Sequence, residues 1–165
     1  MSTKVRVKKI VQKPRNDKPG LIDIELIDDT YYVEMTVEVS EEVPDEESVI
    51  DVDLELYATS EYDLFKDADD FYKQKEGSMA DQSIISIGSF VIDSNGFKKS
   101  PEIFLNGSVL DVHEYDDCYE AKIECLHATY YAILDKYKGK KPKVGNVISS
   151  MFWVEMSIRK DFVCT

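Results

Sequence analysis

The sequence predicts an all-β or β-dominated α+β fold, built as an antiparallel sheet or OB-like barrel with one amphipathic helix. Several segments alternate apolar and polar residues with a period of two, which is typical of half-buried strands. Turn residues such as Asp28-Asp29 and Asn95-Gly96 separate these segments. One segment, residues 61–75, carries a clear helical stripe of apolar residues.

Four strands are expected in the first 57 residues. Residues 5–11 are apolar and partly alternating, and prolines mark the loop that follows them. Residues 21–27 and 31–39 alternate across the Asp28-Asp29 turn, which predicts a β-hairpin. Residues 50–57 alternate aliphatic residues with three carboxylates and Tyr57, which predicts a further strand with an acidic outer side.

The helix is expected at residues 61–75. Ser60 and Asp63 have the spacing of a capping box, and Gly77 follows as a stop. Its apolar side chains recur at helical spacing, as Leu64, Phe65, Ala68, Phe71 and Tyr72.

The second half is expected to be mostly strand. Residues 83–92 form an apolar run before a turn at 93–96, and Asn106-Gly107 predicts a bend or bulge between two further strands. Residues 119–135 fit either a helix or a long strand, and their β-branched and aromatic residues favour the strand. Residues 140–145 then form a hairpin tip before a last strand at 144–158, whose even-numbered residues share an apolar face opposite Trp153.

Segment 83–158 combines the motifs Ser86-Ile87-Gly88-Ser89, Leu105-Asn106-Gly107-Ser108 and Gly145-Asn146-Val147-Ile148. It resembles a group of uncharacterised small bacterial proteins, and its strand–glycine–strand rhythm is similar to that of an OB-type barrel. The resemblance implies a coiled sheet and names no active site. With the length, it predicts a single domain over 1–165, made of an acidic half 1–76 and an OB-like half 83–158.

The sequence predicts a cytoplasmic protein. Its N-terminus has no secretory-signal pattern, and no window of the chain is apolar enough for a transmembrane helix. Its 3 cysteines fit neither a disulfide framework nor a CxxC zinc site.

The charge is distributed unevenly along the chain. The formal net charge is −13, yet residues 1–20 carry +6, residues 21–76 carry −17 and residues 77–165 carry −2. No Lys or Arg occurs in residues 21–65. This acidity argues against broad binding of nucleic-acid phosphates and against adsorption to anionic membranes.

The chain lacks the common catalytic signatures. It contains no GxSxG, Walker A, HExxH, EF-hand or GxGxxG motif, so the sequence predicts no enzyme activity, no catalytic residues, no metal site and no cofactor. His113 lies near carboxylates and Cys118, but a polar turn explains it better than a metal site. Cys125 and His127 would share one strand face, and a buried thiol beside an exposed imidazole explains them better than a nucleophile pair.

The acidic side of the first three clear strands is the strongest functional signal. Tyrosines, which are common interface anchors, lie among its carboxylates. The candidate partner-binding residues are Asp23, Glu25, Glu34, Glu38, Asp51, Asp53, Glu55, Tyr32 and Tyr57.

We therefore expect a non-catalytic interaction protein, whose most concrete form is an immunity-type inhibitor that covers a cationic protein through this acidic face. A DNA-mimicking protein that uses the same acids is one alternative. Another is an OB-like module that binds an oligonucleotide or small ligand through aromatic and basic residues of the second half. Its candidate contacts are Trp153, Tyr130, Tyr131, Lys138, Lys140 and Lys141.

Overall fold

A computed structural model describes residues 3–74, 84–86, 91–93, 96–98 and 100–159 of the chain. The first five strands and the helix are β1 Thr3–Gln12, β2 Gly20–Leu26, β3 Val33–Val39, β4 Val49–Ala58, β5 Asp63–Phe65 and α1 Ala68–Gln74. The later strands are β6 Ile84–Ser86, β7 Val91–Asp93, β8 Gly96–Lys98, β9 Glu102–Glu114, β10 Cys118–Cys125, β11 Ala128–Asp135 and β12 Val147–Ile158, with a 3₁₀ turn at Lys136–Lys138. The fold is β-dominated and barrel-like, which confirms the predicted class.

The antiparallel pair β4–β12 is shared by two rings of strands. The second half of β12 pairs with β3, and β2 and β1 continue from β3 to the first half of β4. The first half of β12 pairs with β9, and β10 and β11 continue from β9 to the second half of β4. We call the first set ring A and the second ring B. Both rings close because β4 and β12 change partners at mid-strand.

One hydrophobic core fills both rings. The even-numbered residues of β4 and β12, such as Leu54 and Val154, all point inward because side chains alternate along a strand. They join one cluster with Ile24 of ring A and Ile123 of ring B. The inward and outward parities of β2, β3, β4 and β12 are those that the sequence predicted.

Most pairings are antiparallel, as expected, but β3 with β12 and β11 with β4 are parallel. These two strand pairs are distant in sequence, so no hairpin fixes their direction. The sheet is therefore mixed.

The predicted helix 61–75 is wrong over its first part. Residues Asp63–Phe65 form strand β5, which pairs with the edge of β12, and α1 begins only at Ala68. Asp67, not Ser60, caps the helix, since its Oδ1 accepts the N–H of Asp70 at 2.8 Å. The backbone groups of residues 63–65 find their hydrogen-bond partners on β12 and therefore do not need those of a further helical turn. The predicted stop at Gly77 lies outside the described residues.

The single long strand predicted for 119–135 is wrong, because the segment is the hairpin β10–β11. Its two-residue turn is Leu126-His127, and both residues have positive φ, 49° and 68°. Such turns favour Asn and Gly, so this pair gave no turn signal in the sequence. The predicted hairpin of β11 with β12 is also wrong, since β11 pairs with β4.

Strand β9 is continuous where a bend was expected at Asn106-Gly107. The register shift lies further on, opposite Lys122 and Ile123, where Leu110 is the extra residue. Gly107 is needed for packing instead, because a Cβ there would lie 2.4 Å from Cγ2 of Ile123. The predicted strand 83–92 contains β6 and the start of β7, and its other residues, with turn residues 94–95, lie outside the described ones.

Replacing Gly107 by Ala tests this close approach. The added methyl group clashes with Ile123 and is expected to lower the free energy of unfolding by about 1–3 kcal/mol. Urea denaturation measures the loss. The double variant G107A/I123A should lose less than the sum of the two single losses, because the new Cβ enters the space that Ile123 leaves. Strict additivity would contradict this contact.

Candidate functional site

Three carboxylates lie side by side on the outer face of adjacent strands. Glu155 of β12 is directly opposite Glu55 of β4 on one side and Glu38 of β3 on the other. Neighbouring strands are about 4.8 Å apart, so the row spans only two strand spacings. We call Glu38, Glu155 and Glu55 the carboxylate row.

Aromatic donors hold the outer carboxylates of this row. Tyr57 donates its hydroxyl to Oε2 of Glu55 at 2.7 Å, and Trp153 donates Nε1–H to Oε2 of Glu38 at 3.0 Å. Each carboxylate is thereby fixed beside a ring on the outer face.

A similar arrangement occurs at the start of β3, where Tyr32 immediately precedes the strand. The Tyr32 hydroxyl, on a side chain that is 70% exposed, donates to Oε2 of Glu34 at 2.7 Å. Each of the three strands therefore presents an aromatic residue and a glutamate two positions apart on one face. We call the carboxylate row, Trp153, Tyr57, Tyr32 and Glu34 the docking face.

The central carboxylate is under electrostatic stress. Partial burial raises the pKa of Glu155, and the charges of Glu38 and Glu55 raise it further, while a hydrogen bond with Tyr57 opposes the shift. Burial, together with the Glu55 and Glu155 carboxylates, also raises the pKa of Tyr57, so its hydroxyl stays a proton donor. Like charges directly opposite on neighbouring strands destabilise a sheet. The row is therefore a place where an external cation would be favourable.

The carboxylate row has no cation of its own within the part of the chain that the structure describes. The nearest strand residue with a basic partner is Asp53, whose Oδ2 pairs with Nε of Arg159 at 3.4 Å. The described residues also contain no group of three or more His, Cys, Asp or Glu with the geometry of a metal site.

The remaining predicted acids are placed differently. Asp23 is only 8% exposed and accepts the Thr36 hydroxyl at 2.6 Å, so it belongs to a buried polar pair. Glu25 lies beside Arg6 at 3.5 Å and Lys8 at 3.7 Å. Asp51 is opposite Lys4 in the β1–β4 register. The basic strand β1 thus lies between acidic strands and divides the face that the sequence predicted as continuous.

A shallow groove borders the carboxylate row. It has a volume of about 290 Å³ and is lined by Glu38, Ser40, Glu41, Glu155, Met156 and Ser157. Glu41 accepts the backbone N–H of Ile158, which ties the β3–β4 loop to the end of β12.

The residues of the alternative ligand site do not come together. Tyr130 lies fully buried in the core of ring B, whereas Tyr131 and Trp153 are on outer faces. Lys138 donates to the carbonyl of Ala58 at 2.6 Å and pairs with Asp135.

Lys141 and Lys136 both contact Glu114, at 2.9 and 2.8 Å, which lowers the pKa of that carboxyl to about 2. Two of the three predicted lysines are thus engaged within the protein, and Lys140 is exposed.

The structure also separates Cys125 from His127. Cys125 is fully buried at the end of β10, which raises the pKa of its thiol to about 12, while His127 lies in the turn with its ring exposed. They do not share a strand face. His113 contacts Asp111 at 3.4 Å on the exposed β9–β10 hairpin.

Sequence reasoning missed Glu155. It alternates with the inward residues Val154 and Met156, so the sequence pattern alone could have predicted its outward position. Its position between Glu38 and Glu55 depends on the pairing of β12 with two strands more than 90 residues earlier, which no local pattern shows.

Comparison with known proteins gave no match to any protein-family model and none to any curated protein. A helix with the length and hydrophobicity of a membrane span is absent from the described residues.

Glu155→Gln is expected to raise the melting temperature at pH 7. Because folding raises the pKa of Glu155, the ionised carboxylate destabilises the folded protein. This cost is absent below pH 4.5, the ordinary pKa, and develops as the pH rises through the raised pKa. The gain should therefore be largest at pH 7 and shrink at pH 4, amounting to about 1 kcal/mol or less for a partly exposed group. Thermal denaturation followed by circular dichroism measures it. Glu61→Gln, at an exposed position, serves as control, and an equal gain there would contradict the role of the row.

Tyr130→Phe is expected to stabilise the protein by about 1 kcal/mol. The Tyr130 hydroxyl is buried without a hydrogen-bond partner in the described structure, so its removal costs no bond. Tyr62→Phe is the matched control, because the Tyr62 hydroxyl donates to the carbonyl of Lys140 at 2.6 Å and its loss should destabilise. Urea denaturation compares the variants, and changes of the same sign in both would contradict this assignment.

Proposed function

We propose that this protein is a non-catalytic binding protein that docks a basic protein partner on its docking face. The observation that carries the proposal is the carboxylate row, in which Glu155 lies in register between Glu38 and Glu55. The three charges repel one another, and a lysine or arginine of a partner would offset that repulsion.

The aromatic residues of the docking face support the same partner chemistry. Trp153 and Tyr57 lie beside the carboxylates that they hydrogen-bond, and Tyr32 is largely exposed. Aromatic rings attract ammonium and guanidinium groups and are frequent anchors of protein interfaces. Because the hydrogen bonds fix the carboxylates before binding, less side-chain entropy is lost when a cation arrives.

The distribution of internal ion pairs points to this face rather than to the whole acidic half. Glu25 is offset by Arg6 and Lys8, and Asp53 by Arg159. The carboxylate row has no such partner among the described residues. Binding strength should therefore depend on the row more than on net charge.

The most specific form of the proposal is an immunity-type inhibitor that covers a cationic protein such as a toxin. Opposite surface charges accelerate association and exclude unsuitable partners. Affinity capture from the source cell's lysate tests this form. One column carries the full chain and a second carries the variant E38Q/E155Q/E55Q. A basic protein that is retained only by the unmodified chain and is released by moderate salt would support it.

The variant E38Q/E155Q/E55Q tests the docking face directly. Calorimetry would measure binding of a deca-arginine peptide at low salt. With each exposed pair contributing about 0.2–1 kcal/mol, removal of all three charges is expected to weaken binding about tenfold. The variant D69N/D116N/D117N is the control, because it removes three exposed carboxylates elsewhere and has the same net charge.

Two results would overturn the proposal. One is equal weakening in the test and control variants, which would show that only net charge matters. The other is tight binding of a single-stranded oligonucleotide to the unmodified protein, which would favour the OB-like alternative. Added salt should weaken the peptide complex, because the contacts are exposed and screened by ions.

A further inference from the structure

The β2–β3 loop, residues 27–32, is tied to the β10–β11 turn by the side chain of His127. Nδ1 of His127 lies 3.0 Å from Oδ1 of Asp28, and the ring of Tyr31 packs edge-on against the imidazole at 4.9 Å between ring centres. The loop belongs to ring A and the turn to ring B, so this contact joins the two rings at the surface.

Asp28 organises the loop as well as binding His127. Its Oδ2 accepts the backbone N–H groups of Thr30 and Tyr31, at 2.9 and 2.8 Å. These bonds, Tyr31 first, lower the pKa of Asp28, so it stays ionised in mildly acidic solution. One carboxylate therefore fixes the loop backbone with one oxygen and the imidazole with the other.

The two members of the contact differ in their access to solvent. The side chain of Asp28 is 20% exposed, whereas that of His127 is 54% exposed and can exchange protons with water. The titratable groups in contact with His127 are Asp28 and Tyr31, both from the loop, and no other described side chain bonds to it. Histidine is the side chain that commonly changes charge between about pH 5 and 8.

We propose that His127 is a positioning residue for the docking face, which holds the β2–β3 loop, and with it Tyr32, more firmly when the imidazole is protonated. The loop ends at Tyr32, and Tyr31, which touches the imidazole, is its neighbour in the chain. Protonation turns a neutral hydrogen bond into an ion pair with Asp28. The ion pair holds the loop more tightly than the neutral hydrogen bond does. The link to binding rests on the proposed function, while the clamp itself does not.

The left-handed backbone of His127 sets the choice of test variant. A φ of 68° is tolerated by Asn better than by most residues, so His127→Asn keeps the turn while removing the titratable ring. A loss of loop order in this variant then reports on the clamp and not on a disrupted turn. Asp28→Asn provides the reciprocal change, because its amide oxygen can still accept the loop N–H groups without carrying charge.

The experiment is an NMR titration of the free protein from pH 5 to pH 8. The backbone amides of Thr30, Tyr31 and Tyr32 are expected to shift with the same midpoint as the ring protons of His127. Nitrogen relaxation should show more motion of the loop at pH 8. In His127→Asn and Asp28→Asn the loop amides should no longer follow that midpoint. Loop amides that do not titrate in the unmodified protein, or that titrate equally in the variants, would overturn the clamp.

A second measurement separates the clamp from the docking proposal. The affinity for the deca-arginine peptide is compared at pH 5 and pH 8 in the unmodified protein and in His127→Asn, so that the titration of Glu155 cancels between them. The ratio of the two affinities is expected to differ about two- to fivefold between the proteins. Equal ratios together with a normal NMR titration would leave the clamp standing and show that it does not serve binding.

Discussion

The antiparallel pairing of β4 with β12 is the contact on which the rest of this structure depends. Each strand exchanges its other partners halfway along its length, so the same two strands close ring A at one end and ring B at the other. A strand has only two hydrogen-bonding edges, and this exchange lets β4 and β12 pair with the four ring neighbours β1, β3, β9 and β11. The core is continuous for the same reason, because Leu54, Leu56, Phe152 and Val154 point inward along the shared pair. Weakening that pair would open both rings together.

The position of the carboxylate row follows from the same pairing. Side chains alternate along a strand, so a register that buries Leu54 and Leu56 beside Val154 and Met156 turns Glu55 and Glu155 outward at the same height. A slip of β12 by one residue against β4 would turn Glu155 inward and Val154 and Met156 outward, so the core strongly determines this register. The stress in the row is therefore not relieved by small adjustments of the sheet. It is relieved by protonation or by an external cation, and the two compete for the same carboxylates.

Local patterns predicted the parts of the fold that local contacts decide. The hairpin β2–β3 and the outward faces of Glu38 and Glu55 follow from alternation and a short turn, so the sequence was sufficient for them. The predicted start of the helix was wrong, because residues 63–65 pair with the distant strand β12. The β10–β11 turn was missed, because its residues, Leu126 and His127, are not typical turn residues. No local pattern assigned a partner to the basic strand β1, and its pairing with β2 places Arg6 beside Glu25.

The contrast between Glu25 and Glu155 bears most directly on function. Both are outward glutamates on interior strands of the sheet, and both face charged neighbours across the strand. Glu25 is opposite Glu34 on β3, but it also meets Arg6 and Lys8, whose charges offset its own. Glu155 meets two further glutamates, and the hydrogen bonds of Tyr57 and Trp153 hold those neighbours in place rather than neutralising them. Folding alone gives no reason to fix three repelling charges beside two aromatic rings. This departure from local stability, at a place ordered by specific hydrogen bonds, supports the proposal that a basic partner binds there after the protein has folded.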